Sequence, residues 1–95
     1  MSERNEQLLK IYLEAAIPVW QHKLKSQPWE YLIERATEAA GIIASQGDLL
    51  IERPTKGATA EVFNRLAEGV AILSFLPGGV TFFGVHYEAK HSEST

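Results

Sequence analysis

Apolar positions early in the chain recur at steps of three and four: Leu9, Tyr12, Leu13, Ala16, Trp20 and Leu24. That spacing lays one stripe along an amphipathic helix. Ser2, Glu3 and Glu6 mark its start, since anionic side chains favour the positive end of the helix dipole. Pro18 lies inside the stripe. It has no N–H to bond the carbonyl of Glu14, which predicts a kink or break near Ile17. A second helix is predicted to open at Ser26-Gln27-Pro28, with proline in the first turn, where a missing N–H costs nothing. Its stripe is Trp29, Leu32, Ile33, Ala36, Ala40 and Ile43, and Gly47 suits its C-terminal stop. Ala36, Ala39, Ala40, Gly41 and Ala44 leave the middle of this helix thin, so another element can approach its backbone closely.

The period then changes. Leu49 to Arg53 is a short apolar run between Gly47 and Pro54, of a length that suits a strand. Pro54-Thr55-Lys56-Gly57 has turn composition, and Thr59 is placed to cap a third helix carrying Val62, Phe63, Leu66, Ala67, Val70 and Leu73. Gly69 weakens that helix by about 1 kcal/mol relative to alanine, which points to a close contact there. Pro77-Gly78-Gly79 stops it, and Val80 to Glu88, rich in β-branched and aromatic residues, is predicted to be a strand. Residues 71–76 admit a second reading, as a strand entering Val80 through a type II turn at Leu76-Pro77-Gly78-Gly79. The helix needs fewer coincidences, because Val62, Leu66, Val70 and Leu73 keep one face up to the turn. Residues 91–95 are polar and are expected to form a disordered tail behind a single domain spanning 1–90.

Composition bounds the function. With 45% hydrophobic and 22% charged residues, the 95-residue chain is neither a disordered tail nor a membrane span. Its charge of −3 argues against broad, non-specific phosphate binding, which needs a basic field. The absence of cysteine removes disulfides, thiol nucleophiles and thiolate metal sites. No basic, apolar and small-residue succession opens the chain, so no cleaved signal peptide is expected, and a cytoplasmic setting follows.

Four groups of residues bear on chemistry. Arg53, Lys56, Gly57 and Thr59 bring two cations, a flexible backbone and a hydroxyl to a helix N-terminus, the ingredients of an anion site without a P-loop pattern. His86 and Glu88 project to one face of the last strand with His91 near in sequence, a weak metal-ligand set that matches no standard zinc spacing. Polar residues on the wet face of a strand explain them as well. Glu30, Glu34 and Glu38 line one edge of the second helix and suit a wet face or a basic partner. His22, Lys23 and Lys25 complement the negative end of the first helix. The lone aspartate, the missing nucleophile motifs and Ser74 without a nearby histidine leave catalysis without a basis, and no cofactor is expected.

The segments Lys56-Gly57-Ala58-Thr59-Ala60-Glu61-Val62-Phe63-Asn64-Arg65-Leu66-Ala67-Glu68-Gly69 and Pro77-Gly78-Gly79-Val80-Thr81-Phe82-Phe83-Gly84-Val85-His86 resemble a type of short bacterial or phage protein. The resemblance covers the C-terminal half. It implies a prokaryotic or mobile-element setting and carries no activity or functional residue.

The expected fold is therefore α+β: two helices, then a strand–helix–strand unit whose strands would be parallel with a right-handed crossover. Two strands make a poor sheet, so the edges call for a partner protein or a homodimer through Val80, Phe82, Phe83, Val85 and Tyr87. The expected function is non-enzymatic binding through protein–protein contacts, as in a phage or mobile-element inhibitor of a host defence complex. A nucleotide or nucleic-acid phosphate binder at the 53–59 loop is the alternative.

Overall fold

The computed structural model describes the backbone of residues 3–52, 56–82 and 84–91, with side chains over 7–44, 61, 63–82 and 84–91. Three helices, α1 (Glu3–Leu24), α2 (Trp29–Glu52) and α3 (Lys56–Ser74), precede two short strands, β1 (Val80–Phe82) and β2 (Val85–Tyr87). The α+β class holds, with the helices first and the sheet last.

The first stripe forms as its spacing demands. Leu9, Leu13 and Leu24 are buried, and Tyr12, Ala16 and Trp20 pack half-buried against the core. Helix α1 runs on through Pro18, so of the expected kink or break the break does not occur. Pro18 and Glu14 lie on the exposed side, so the carbonyl that proline leaves unbonded can be hydrated there, while Ile17 is fully buried. Pro28 sits one residue ahead of α2, and its carbonyl accepts from the Tyr31 and Leu32 amides at 3.0 and 3.3 Å.

Helix α2 departs further from expectation. Gly47 does not end it, and Leu49 to Glu52, read from the sequence as a strand, continue the helix. An apolar run of that length fits either structure. Extending an existing helix adds one hydrogen bond per residue with no new nucleus to form, and that decides for the helix. Its buried face is also turned slightly from the predicted one: Leu32 and Ala39 are buried, whereas Ile33 and Ala40 are exposed.

Helix α3 is the centre of the molecule. It packs on both α1 and α2, which meet each other far less. Phe63, Leu66, Ala67, Val70, Ala71 and Ile72 are accordingly buried around most of its circumference. The thin middle of α2 does admit a neighbour: a methyl on Gly69 would lie 3.6 Å from Ala39 Cβ. That is ordinary contact, so the approach is close without requiring glycine.

Residues 71–76 are helical as far as Ser74, as the preferred reading has it, and the type II turn that came with the strand reading follows the helix instead. The Gly79 amide donates to the Leu76 carbonyl at 2.9 Å with Gly78 at φ 86°, the pattern of a type II turn. The segment expected to be one long strand is instead a hairpin: Gly84 takes φ 74° and reverses the chain. Strands β1 and β2 pair antiparallel with Val80 opposite Tyr87, Thr81 opposite His86 and Phe82 opposite Val85. The parallel crossover unit is thus replaced by a local antiparallel pair, because the only other candidate strand has joined α2. Val80, Phe82 and Tyr87 pack against the helical core, leaving Thr81 and His86 exposed.

After β2 the chain returns to the helices. The Ala89 amide donates to the Ser74 carbonyl at 2.9 Å. His91, expected in a disordered tail, is buried, with Trp29 5.4 Å from its ring and Phe75 6.3 Å away edge-on. Its Nε2 bonds the carbonyl of Gln27, which can only accept, so Nε2 carries the hydrogen. Ser74 is also fully buried: its hydroxyl donates to the Ala71 carbonyl at 2.5 Å and accepts from Gln21 Nε2 at 3.1 Å. This serine ties α1 to the end of α3, a structural task that needs no base.

Candidate functional site

The residues proposed for chemistry separate in space. Of the anion-site set, Arg53 lies outside the described residues. Lys56, Gly57 and Thr59 fall in the opening turn of α3, which begins three residues ahead of the predicted cap, so Lys56 and Gly57 are helical rather than loop. Of the proposed contact strand, Phe83 is outside the described residues, Val85 is half-buried, and Val80, Phe82 and Tyr87 face the core. The two strands pair with each other in a two-stranded sheet, so among the described residues the outer edge of each still has no strand beside it.

His86 and Glu88 do share a face. Imidazole Nε2 and Glu88 Oε1 are 2.9 Å apart, and Nδ1 lies 2.9 Å from Thr81 Oγ1. An ionised carboxylate only accepts, so Nε2–H donates to it and, in the neutral ring, the Thr81 hydroxyl donates to Nδ1. Hydroxyl, imidazole and carboxylate stand in the order of a nucleophilic triad. Here the order has a plainer origin: Thr81 and His86 are directly opposed across the hairpin, and Glu88 is two residues further on the same face. All three are exposed, so water screens the relay. His91 is turned away into its aromatic seat, and no group of three or more His, Asp or Glu side chains placed to hold a metal ion occurs among the described residues.

Tyr87, on the inward face of the hairpin, is the electrostatically perturbed group. Burial pushes its phenol above the ordinary value of 10.0, and the Glu14 carboxylate on α1 adds to the effect. The folded chain therefore holds this proton more tightly than the unfolded chain. Stability should be insensitive to this group below about pH 9 and fall as pH rises past the unfolded value toward the folded one. Thermal melts of wild type and Tyr87→Phe from pH 8 to 11 check this: the wild type should lose stability relative to the variant as the pH climbs, and parallel curves would contradict it.

Between α2 and α3 lies an open groove of about 330 Å³, floored by Ala39, Gly69 and Ile72 and rimmed by Arg35, Arg65 and Glu68. Arg35 lies 5.4 Å over the Tyr31 ring, and its Nη2 is 3.9 Å from Glu68 Oε2, a through-space attraction longer than a hydrogen bond. Arg35 Nε is buried without a partner. Both signs of charge line the groove, which acts as a salt-bridged seam joining the helices.

The feature that the fold leaves uncovered is on α1. Opposite its buried stripe, Leu8, Ile11 and Val19 expose 49%, 64% and 54% of their surface, with Ala15 and Pro18 exposed between them. Positions 8, 11, 15 and 19 recur at helical spacing, so the helix is apolar on two faces. This second stripe was open to reading from the sequence. It is masked there by the stronger stripe one position away, Leu9, Leu13 and Ile17. No protein-family profile, curated protein or solved structure matches the chain.

Proposed function

We propose that this chain is a non-enzymatic binding protein acting through protein–protein contacts, with the outward face of α1 as its contact surface. The observation that carries the reading is the row Leu8, Ile11, Ala15 and Val19, exposed on a well-formed helix whose other face is already packed. Scattered single apolar residues on a surface need no explanation, but a continuous row along one helix face is the pattern of a helix that meets a partner. Among the described residues no helix is long and apolar enough to cross a membrane, which suits a partner met in the cytoplasm. A phage or mobile-element accessory role is compatible with the resemblance in the C-terminal half.

A photo-reactive amino acid at position 11 tests the reading, with the same group at exposed Glu61 on α3 as the control. A discrete protein adduct is expected from position 11 and not from position 61. Equal adducts at both, or none at either, would overturn it.

A further inference from the structure

We infer that the groove between α2 and α3 binds a free α-amino acid with an apolar side chain. This goes beyond the contact role of α1, since every described residue lining the groove belongs to α2 or α3. The groove holds about 330 Å³, the scale of one small molecule. Its charged groups leave one donor and one acceptor unanswered. Arg65 is occupied: its Nη2 donates to Glu61 Oε1 at 3.0 Å. Arg35 Nη2 and Glu68 Oε2 attract each other at 3.9 Å but do not hydrogen-bond. Arg35 Nε is buried without a partner. A buried donor on a charged group is costly to leave unmet, so it marks a place for an acceptor. Three residues on along α2, the Glu38 carboxylate has no ion pair or hydrogen bond among the described residues.

The lining sets Arg35 and Arg65 against Glu38 and Glu68. A plain anion or cation would meet as much repulsion there as attraction. A zwitterion meets neither excess: its carboxylate accepts from Arg35 Nε–H, and its ammonium donates to Glu38 beside Glu68. The floor accounts for the rest of the ligand. Ala39, Gly69 and Ile72 are buried and Ile42 is half-buried, so an aliphatic or aromatic side chain laid on them leaves water. Gly69 shows that the room is kept at a cost. Glycine weakens α3, yet the packing of the helices does not demand it. An added methyl would meet Ile43 Cδ1 at 3.5 Å and Ala39 Cβ at 3.6 Å, both ordinary contacts. What the missing side chain does provide is depth in the groove floor.

Titration of the isotope-labelled full chain with L-leucine, followed by amide chemical shifts, is the test. Saturable shifts are expected along residues 35–42 and 65–72. N-acetylleucine lacks the ammonium and leucinamide lacks the carboxylate, so each should bind at least about ten-fold more weakly than leucine. Alanine should also bind more weakly, because it leaves the apolar floor uncovered. Glu38→Gln is isosteric and exposed, and it should weaken leucine by about the same factor while leaving N-acetylleucine unchanged. Arg35→Lys keeps the charge without the Nε–H donor, and it should weaken leucine while leaving leucinamide unchanged. Gly69→Ala should keep the fold, since alanine favours a helix, and still weaken leucine by filling the floor. If Arg35→Lys fails to fold, Glu38→Gln and Gly69→Ala decide the question. No saturable shift up to about 10 mM leucine overturns the inference, as does N-acetylleucine binding as tightly as leucine. Equal leucine binding by wild type and Glu38→Gln overturns it too. None of these results touches the contact role of α1, which the cross-link at position 11 decides separately.

Discussion

Gly79→Ala is expected to destabilise the fold by about 3 kcal/mol, from backbone strain and overlap acting together. Gly79 holds φ 67°, in the left-handed region that an L side chain enters at a cost of about 1–2 kcal/mol. A methyl there would also press on the Tyr87 carbonyl oxygen, and it would lie 2.6 Å from Glu88 Cγ. The glutamate can swing away, but the carbonyl belongs to the backbone of β2 and can move only if the hairpin opens. Gly78→Ala is the control: it has φ 86° but nothing within 4 Å of the added carbon, so it carries the strain alone. Chemical denaturation of the two variants should place Gly79→Ala well below Gly78→Ala. Equal losses would show that the hairpin yields without penalty.

Leu66→Ala should cost a similar amount, about 3 kcal/mol, or roughly 12–24 °C in Tm for a domain of this size. Leu66 is fully buried on α3, the helix that both other helices pack against, so shrinking it opens a void that no single neighbour can collapse into. Ile11→Ala removes an aliphatic side chain from α1, yet the lost atoms are largely in water already. Its melting temperature should stay near that of the wild type. Differential scanning calorimetry on the pair separates a packed position from a surface one, and a large loss for Ile11→Ala would mean that the outward face of α1 is covered within the molecule.

Much of this architecture is legible in the chain, for identifiable reasons. Leu9, Leu13 and Leu24, and again Phe63, Leu66, Ala67 and Val70, repeat over enough turns for periodicity to speak alone, and all are buried. The Leu76–Gly79 turn is equally readable, since proline and glycine hold the positions that a type II turn requires. What failed was short. Leu49 to Glu52 offers too few residues to separate helix from strand, and the decision comes from the helix already running into it. Gly84 reverses the chain inside a stretch whose β-branched and aromatic residues look like one strand. The hydrogen-bonded order of Thr81, His86 and Glu88 depends on hairpin register, which a one-residue slip would abolish. The outward row of α1 was visible in principle. Periodicity shows that a helix has a second apolar face, but only packing shows that nothing in the chain covers it.

The seat of His91 sets an order of events for assembly. The contacts of α1 with α3 already bridge long stretches of chain, 53 positions from Gln21 to Ser74, and the bond from His91 to the Gln27 carbonyl spans 64. Closing so long a loop is entropically slow unless the ends are already held near one another. The helices and hairpin provide that nearness, so the last described residues lock down after the rest has formed. Trp29, whose ring lies tilted against the arriving imidazole, is thereby a built-in optical reporter of the final step.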